Sequence, residues 1–212
     1  VVWTVTDASN NTATCSFNVV VNDNQSPVIS CVSNKTKSTD AGKCSYTTSG
    51  TEFDLTSATD NCGIKSISNN RTGTSSLAGS IFPKGTTTVT WTVKDSADNT
   101  STCSFTVTVS DNEKPKITCT NNATLNVDPG KCSRTIINFS LPSHTDNCGI
   151  KSIINSHNGT NTLAGAIFPK GVTTVTWTVK DSADNTTTCN FTVTVIDNEA
   201  PKITCVNNQT RS

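Results

Sequence analysis

The chain has 212 residues, of which 16 are basic and 16 acidic, giving a formal net charge of +0. A chain without excess charge offers no positive field to hold nucleic acid. No apolar run approaches the ~20 residues that a membrane-spanning helix needs, so this segment is not predicted to be embedded in a membrane.

The ten cysteines indicate an oxidising compartment, and therefore an extracellular or cell-surface protein. Zinc binding, the intracellular alternative, needs close Cys-x-x-Cys pairs. None occurs, because neighbouring cysteines lie 13 or more residues apart. We therefore expect disulfide bonds, although four cysteines in a repeat permit three different pairings.

The sequence repeats itself along its length. Residues 60–119 and 146–205 align without a gap, and about 12 of the 60 positions differ. Trp3, Trp91 and Trp177 mark successive copies at spacings of 88 and 86 residues. A tandem array this uniform is typical of proteins in which length, stiffness or multivalency matters more than a single catalytic pocket.

Linkers that contain proline divide the chain, because proline ends strand pairing. They lie at residues 22–27, 111–115 and 197–201. The predicted parts are the C-terminal part of a preceding repeat (1–24), two complete repeats (25–111 and 112–197) and the N-terminal start of the next repeat (198–212).

Within a repeat the apolar period is two, which predicts strands. In residues 89–93 the valines and Trp91 alternate with threonines, and residues 103–109 alternate in the same way. Residues 94–99 form a turn-rich hairpin connection between these strands. We predict a two-sheet sandwich with Trp91 and Trp177 in the core, where disulfides offset the small size of each core.

Four sequence segments occur together in the second complete repeat. They are Pro-Lys-Ile-Thr-Cys (115–119), Thr-Asp-Asn-Cys (145–148), residues 167–177 and residues 184–195. Together these segments resemble the hyalin repeat (HYR) domain, and the resemblance covers the whole chain. It implies an all-β fold of tandem immunoglobulin-like β-sandwich repeats, about 86–88 residues each and disulfide-stapled, in extracellular proteins linked to adhesion. Closely similar Thr-rich arrays occur in very large bacterial surface proteins, including adhesins of gliding bacteria.

The same resemblance implies how the cysteines pair. Cys15 and Cys205 would pair outside the segment. The implied pairs within it are Cys31–Cys103, Cys44–Cys62, Cys119–Cys189 and Cys132–Cys148.

Acidic residues recur in register, and the linker pattern Asp-Asn-Glu-x-Pro resembles the calcium-binding interdomain segments of cadherins. Hard oxygen ligands at a junction suit Ca²⁺, and no other cofactor is expected. The alternative is that these residues serve turns through local side-chain hydrogen bonds. The candidate calcium ligands are Asp111, Glu113, Asp197, Glu199, Asp98 and Asp184.

Two serines are candidate sites of O-glycosylation. Ser96 and Ser182 lie in Asp-Ser-Ala segments that resemble the glycosylated segments of secreted bacteroidete proteins. A plain turn is the alternative reading of both segments.

We do not expect an enzyme, because His144 and His157 lack counterparts in the preceding repeat and the cysteines are assigned to bridges, which leaves no thiol nucleophile. We expect a structural segment of a long extracellular protein that forms a cell-surface fibre or stalk in adhesion, including gliding-associated adhesion. Its partners would be neighbouring repeats of the same chain and other copies in a filament.

The alternative function is a multivalent module that binds surface glycans or extracellular proteins and acts through avidity. The ligand contacts would then vary in residues 68–76 and 154–162, where the two copies differ most.

Overall fold

The computed structural model describes residues 1–208, and in that range it contains strands and turns without a helix. Contacts divide the chain into two compact units, Val1–Thr36 with Thr47–Thr108, and Lys37–Tyr46 with Val109–Ser212. The predicted start of a further repeat, 198–212, lies partly outside the described residues.

Strands β1 to β10 precede the linker at Asp111. β1 and β2 form a two-stranded sheet, as do β3 with β6 and β5 with β8, while a four-stranded sheet has the order β4-β10-β9-β7. The bounds are β1 Val2–Thr6, β2 Thr12–Ser16, β3 Val28–Ser30, β4 Lys35–Ser38, β5 Ser45–Thr47, β6 Ser57–Thr59, β7 Ile64–Asn69, β8 Ile81–Pro83, β9 Gly85–Asp95 and β10 Thr100–Ser110.

Strands β11 to β18 follow the linker and repeat this arrangement. β11 pairs with β14 and β13 with β16, while a four-stranded sheet has the order β12-β18-β17-β15. In that sheet β12 runs parallel to β18, whereas β17 is antiparallel to both β15 and β18. The bounds are β11 Lys116–Thr118, β12 Ala123–Asn126, β13 Ser133–Thr135, β14 Ser143–Thr145, β15 Ile150–Asn155, β16 Ile167–Pro169, β17 Gly171–Asp181 and β18 Thr186–Ile196.

The predicted period of two is confirmed along the long strands. In β17 the side chains of Val175, Trp177 and Val179 are buried, and the threonines between them are partly exposed. Trp91 is equally buried in β9. These strands therefore present one apolar face to a core and one threonine-rich face to water, as the all-β sandwich prediction requires.

Trp3 differs from its two counterparts because its side chain is 63% exposed. Among the described residues, its strand, β1, pairs with β2 alone in a two-stranded sheet. A two-stranded sheet has no second layer against which the indole can pack.

A buried aspartate closes the β17–β18 hairpin. Asp181 Oδ1 accepts hydrogen bonds from the backbone N–H groups of Ala183 and Asn185, each at 2.8 Å. Its Oδ2 accepts one from Asn185 Nδ2 at 2.8 Å, and Asp184 takes a left-handed conformation with φ of 69°. The turn interpretation of this Asp-rich segment is therefore confirmed.

Replacing Trp177 by alanine tests the core assignment. Since the indole is 1% exposed, we expect Trp177→Ala to lower the free energy of unfolding by about 3–5 kcal/mol. Urea unfolding followed by circular dichroism measures this change. Ile154→Ala is the control, because Ile154 is 46% exposed and its loss should cost within about 0.5 kcal/mol. Equal effects of the two substitutions would contradict the assignment.

Candidate functional site

A disulfide joins two successive sequence repeats. Cys44 is bonded to Cys148 across a sequence separation of 104, with the two Cα atoms 4.7 Å apart. The expected pairs Cys44–Cys62 and Cys132–Cys148 are therefore wrong. Within the described residues, Cys62 and Cys132 are free, and both are exposed.

The physical reason lies in the linker that begins at Asp111. Glu113 Oε2 accepts a hydrogen bond of 2.8 Å from the backbone N–H of Gly42, which fixes the turn that carries Cys44. Asn147 Nδ2 then donates to the carbonyl oxygen of Lys43 at 2.8 Å. The turn is thereby held beside Cys148 of the next repeat instead of beside Cys62 of its own repeat.

The other two disulfides join the residues that the resemblance implied. Cys31 is bonded to Cys103 and Cys119 to Cys189, with Cα–Cα distances of 5.9 and 5.7 Å. Each closes a loop of about 70 residues within one repeat. Cys15 and Cys205 are free and exposed.

Three aspartates converge next to the bond between Cys44 and Cys148. Carboxylate oxygens of Asp111, Asp146 and Asp181 lie within 4.8 Å of one another. Asp111 follows β10, Asp146 follows β14 and Asp181 ends β17. Asp181 is fully buried, Asp111 is 4% exposed and Asp146 is half-buried, so the three carboxylates lie close enough for like charges to repel.

The hydrogen-bond pattern leaves acceptor capacity in this cluster. Asp146 Oδ1 accepts from the backbone N–H of Cys148 at 2.9 Å, whereas its Oδ2 is buried and meets no hydrogen-bond donor among the described residues. Asn147 Nδ2 donates to Asp111 Oδ1 at 3.2 Å. Oxygen atoms gathered in this way are the ligand type that Ca²⁺ prefers.

The first unit contains the equivalent cluster, formed by Asp23, Asp60 and Asp95. Each member precedes its counterpart in the second unit by 86 or 88 residues. Asp95 is fully buried and Asp60 Oδ1 accepts from the backbone N–H of Cys62 at 2.8 Å. The arrangement is therefore a property of the repeat.

Only one of the predicted calcium ligands, Asp111, belongs to an acidic cluster in the described part of the chain. Glu113 and Glu199 instead accept backbone hydrogen bonds from Gly42 and Gly130. Asp197 lies 3.4 Å from Lys170 Nζ.

Asp98 and Asp184 are engaged with lysines. Asp184 Oδ1 lies 2.7 Å from Lys151 Nζ and 3.0 Å from Lys180 Nζ. Hydrogen bonds from these two ammonium groups lower the pKa of Asp184 to about 2, and a hydrogen bond from Lys65 lowers the pKa of Asp98 below its usual value. Both carboxylates are paired with lysines, and neither belongs to an acidic cluster in the described part of the chain.

The sequence analysis did not select Asp60, Asp95, Asp146 or Asp181 as ligands. The available signal was their recurrence at a spacing of 86 residues. That signal alone is insufficient, because Asp98 and Asp184 recur at the same spacing and serve another purpose.

Both serines proposed as glycan attachment points are exposed. The Ser182 hydroxyl donates to the carbonyl oxygen of Gly149 at 3.2 Å. Glycosylation of Ser96 and Ser182 stays a prediction.

The two full copies of the repeat match one family. Residues 22–109 and 110–195 each match the HYR domain. The chain belongs to the HYR domain family. HYR proteins similar to this chain include hyalin of Strongylocentrotus purpuratus, 36% identical over 98% of this chain and 17% of that protein. Hyalin of Lytechinus variegatus is 35% identical over 96% of this chain and 38% of that protein. The chain thus spans a minor part of these relatives.

Solved structures similar to the HYR chain include fragments of cadherin proteins. The EC1-4 fragment of PcdhgB3 is 14% identical, with a TM-score of 0.41 over 93% of this chain and 57% of that chain. The EC22-24 fragment of mouse cadherin-23 is 13% identical, with a TM-score of 0.38 over 92% and 73% of the two chains.

The family and the disulfides identify this HYR chain as an extracellular repeat segment, because such bonds persist in oxidising compartments. The part of the chain that the structure describes contains no candidate membrane-spanning helix.

A disulfide map of the oxidised chain checks the crosslink. Non-reducing digestion and mass spectrometry should yield a peptide pair joined through Cys44 and Cys148, with four cysteines free to react with an alkylating agent. Cys44→Ser should release Cys148 and raise the thiol count by one. Cys62→Ser is the matched control and should lower the count by one. If Cys62→Ser instead released Cys44, the pairing within one repeat would be correct.

Proposed function

We propose that this HYR chain is a structural segment of a long extracellular protein, in which tandem repeats form a cell-surface fibre or stalk in adhesion. The observation that supports this function is the disulfide between Cys44 and Cys148, which links consecutive sequence repeats covalently. A binding module has no need of a covalent link between repeats, whereas a stalk under tension gains from one.

The remaining crosslinks support the same function. The three disulfides span separations of 72, 104 and 70 residues. Loops of this size lower the entropy of the unfolded chain by an amount worth about 4–5 kcal/mol each. A repeat that unfolds under shear therefore keeps its chain crosslinked, which favours refolding and hinders proteolysis.

The proposed setting is the surface of a bacterium, including a gliding bacterium, because of the resemblance to the Thr-rich arrays of such adhesins. The threonine-rich outer face of strands such as β17 keeps a long array soluble. In this setting Ser96 and Ser182, which are exposed, are the proposed O-glycan sites. The segment is proposed to be non-enzymatic.

Immunogold electron microscopy of intact source cells tests the fibre. An antibody raised against residues 112–197 should place gold beads in rows along thin surface filaments, because each repeat carries the epitope. The same antibody absorbed with the purified chain is the control. Diffuse label, or label confined to the medium, would contradict the stalk and favour a secreted matrix.

We also propose that each acidic cluster holds Ca²⁺ in the assembled array. Two features support it: the buried Asp146 Oδ2 that lacks a donor among the described residues, and the recurrence of the cluster around Asp60. A divalent cation would relieve the repulsion between three close carboxylates. It would also fix the linker at Asp111 to the loop at Asp146.

Isothermal titration with CaCl₂ tests this site. Two clusters per chain predict two binding events, and Asp146→Asn should abolish one of them by removing a charged ligand. Asp184→Asn is the matched control and should leave both, because Asp184 pairs with lysines. Absence of calcium-dependent heat in the unmodified chain would contradict the proposal.

A further inference from the structure

We infer that Cys62 and Cys132 each form a cross-repeat disulfide of the kind that joins Cys44 to Cys148, with partners in neighbouring repeats. Cys132 would bond the cysteine of a following repeat that corresponds to Cys148. Cys62 would bond the cysteine of a preceding repeat that corresponds to Cys44. An array would then be a continuous chain of covalently linked repeats.

Their places in the sequence support this assignment. Cys132 lies 88 residues after Cys44, and Cys62 lies 86 residues before Cys148, which are the spacings of the repeat itself. Cys44 and Cys148 are bonded to each other. Their counterparts in the neighbouring copies, Cys132 and Cys62, are free and exposed among the described residues.

The turn before Cys132 has the same geometry as the turn before Cys44. Around Cys132, the backbone N–H of Asp128 donates to Ser133 O at 2.7 Å, and that of Lys131 donates to Asp128 O at 3.0 Å. The corresponding distances in the turn of Cys44 are 2.7 and 2.9 Å. Glu199 accepts from Gly130 N–H at 2.9 Å, as Glu113 does from Gly42 at 2.8 Å. The turn therefore holds Cys132 in the same way as the equivalent turn holds the bonded Cys44.

The loop that carries Cys62 likewise matches the loop that carries Cys148. The backbone N–H of Cys62 donates to Asp60 Oδ1 at 2.8 Å, and Asn61 Nδ2 lies 3.2 Å from the Cys62 sulfur. The equivalent distances at Cys148 are 2.9 and 3.6 Å. Because the free loop already holds the conformation of the bonded loop, little reorganisation is needed for a bond to form.

The linker contacts that precede Cys62 are also retained. Asn99 Nδ2 donates to the carbonyl oxygens of Asp23 and Gln25 at 3.1 and 3.0 Å. Asn185 Nδ2 makes the same two contacts with Asp111 and Glu113, each at 3.2 Å. The linker at residues 23–25 therefore makes the same contacts with its repeat as the linker at residues 111–113.

The bond forms by exchange with a low-molecular-weight or protein disulfide, for which glutathione disulfide is the probe. The Cys132 thiolate attacks it, forming a mixed disulfide and releasing one glutathione. The partner thiolate then attacks the Cys132 sulfur and releases the second glutathione, so two thiols lose two electrons and two protons, and glutathione disulfide takes them up.

A continuous series of these bonds changes how tension is carried. The path through these bonds crosses 16 residues of a repeat, from Cys132 to Cys148, plus one disulfide. The bond between Cys119 and Cys189 closes off 70 of the 86 residues of the repeat and already leaves 16 free to extend, or about 56 Å at about 3.5 Å per extended residue. The new bonds therefore add a second covalent path of the same length instead of shortening the first. This linkage holds or fails independently of whether the array serves as a stalk.

The test uses the full chain with one further repeat added in register, so that residues 1–197 are followed by residues 112–212. After oxidation in a glutathione buffer, the added repeat should contribute two disulfides and no additional free thiol. The peptide pair of Cys44 and Cys148 is the internal control for correct folding. Two additional free thiols, with that control pair intact, would overturn the inference.

Two matched variants distinguish the new bond from one within a single repeat. Cys132→Ser in the original copy should remove the peptide pair that joins Cys132 to Cys148 and release one thiol. The same substitution in the added copy should leave that pair in place. The reverse result would overturn the inference.

Discussion

The small apolar core of each repeat is the constraint on which the rest of the structure depends. In the second unit the buried cluster comprises 12 residues around Trp177, among the described residues. A domain of this size buries too little apolar surface to be more than marginally stable alone. Crosslinks that restrict the unfolded chain, such as Cys119–Cys189, and buried polar side chains that fix the loops supply the remaining stability.

Those buried polar side chains are stable because their hydrogen-bonding capacity is met inside the protein. Asn155 is 2% exposed. Its Nδ2 donates to the carbonyl oxygens of Thr160 and Thr162, at 2.8 and 3.1 Å, and its Oδ1 accepts from the N–H of His157 at 2.9 Å. One buried residue therefore sets the backbone of a whole loop, which makes the shape of that loop insensitive to its exposed side chains.

The strands and the core could be predicted because alternation with period two directly reflects burial, as at Trp91 and Trp177. The bond between Cys44 and Cys148 could not, because shifting a pairing by one repeat leaves a periodic sequence unchanged. Spacing alone cannot distinguish Cys44–Cys62 from Cys44–Cys148, and the contact of Glu113 with a backbone N–H, which decides the pairing, leaves no sequence pattern. The acidic cluster was predicted only at Asp111, since its other members, Asp146 and Asp181, lie far away in the sequence.

The loop where the two repeats differ most bears on the choice between a scaffold and a ligand-binding surface. Arg71 in one copy and His157 in the other differ in charge and shape. The guanidinium carbon of Arg71 lies 4.4 Å from the ring centroid of Phe82, and the His157 ring stacks at 4.1 Å on Phe168. Arg71 also contacts the carbonyl oxygen of Ile81, and His157 that of Ile167, the isoleucine before the phenylalanine in each copy. The substitution thus preserves an internal contact, as expected of a loop whose role is to cover the aromatic core. In a loop under selection for a ligand, the side chains that face solvent would differ instead. The residue that makes the internal contact would then be the same in both copies.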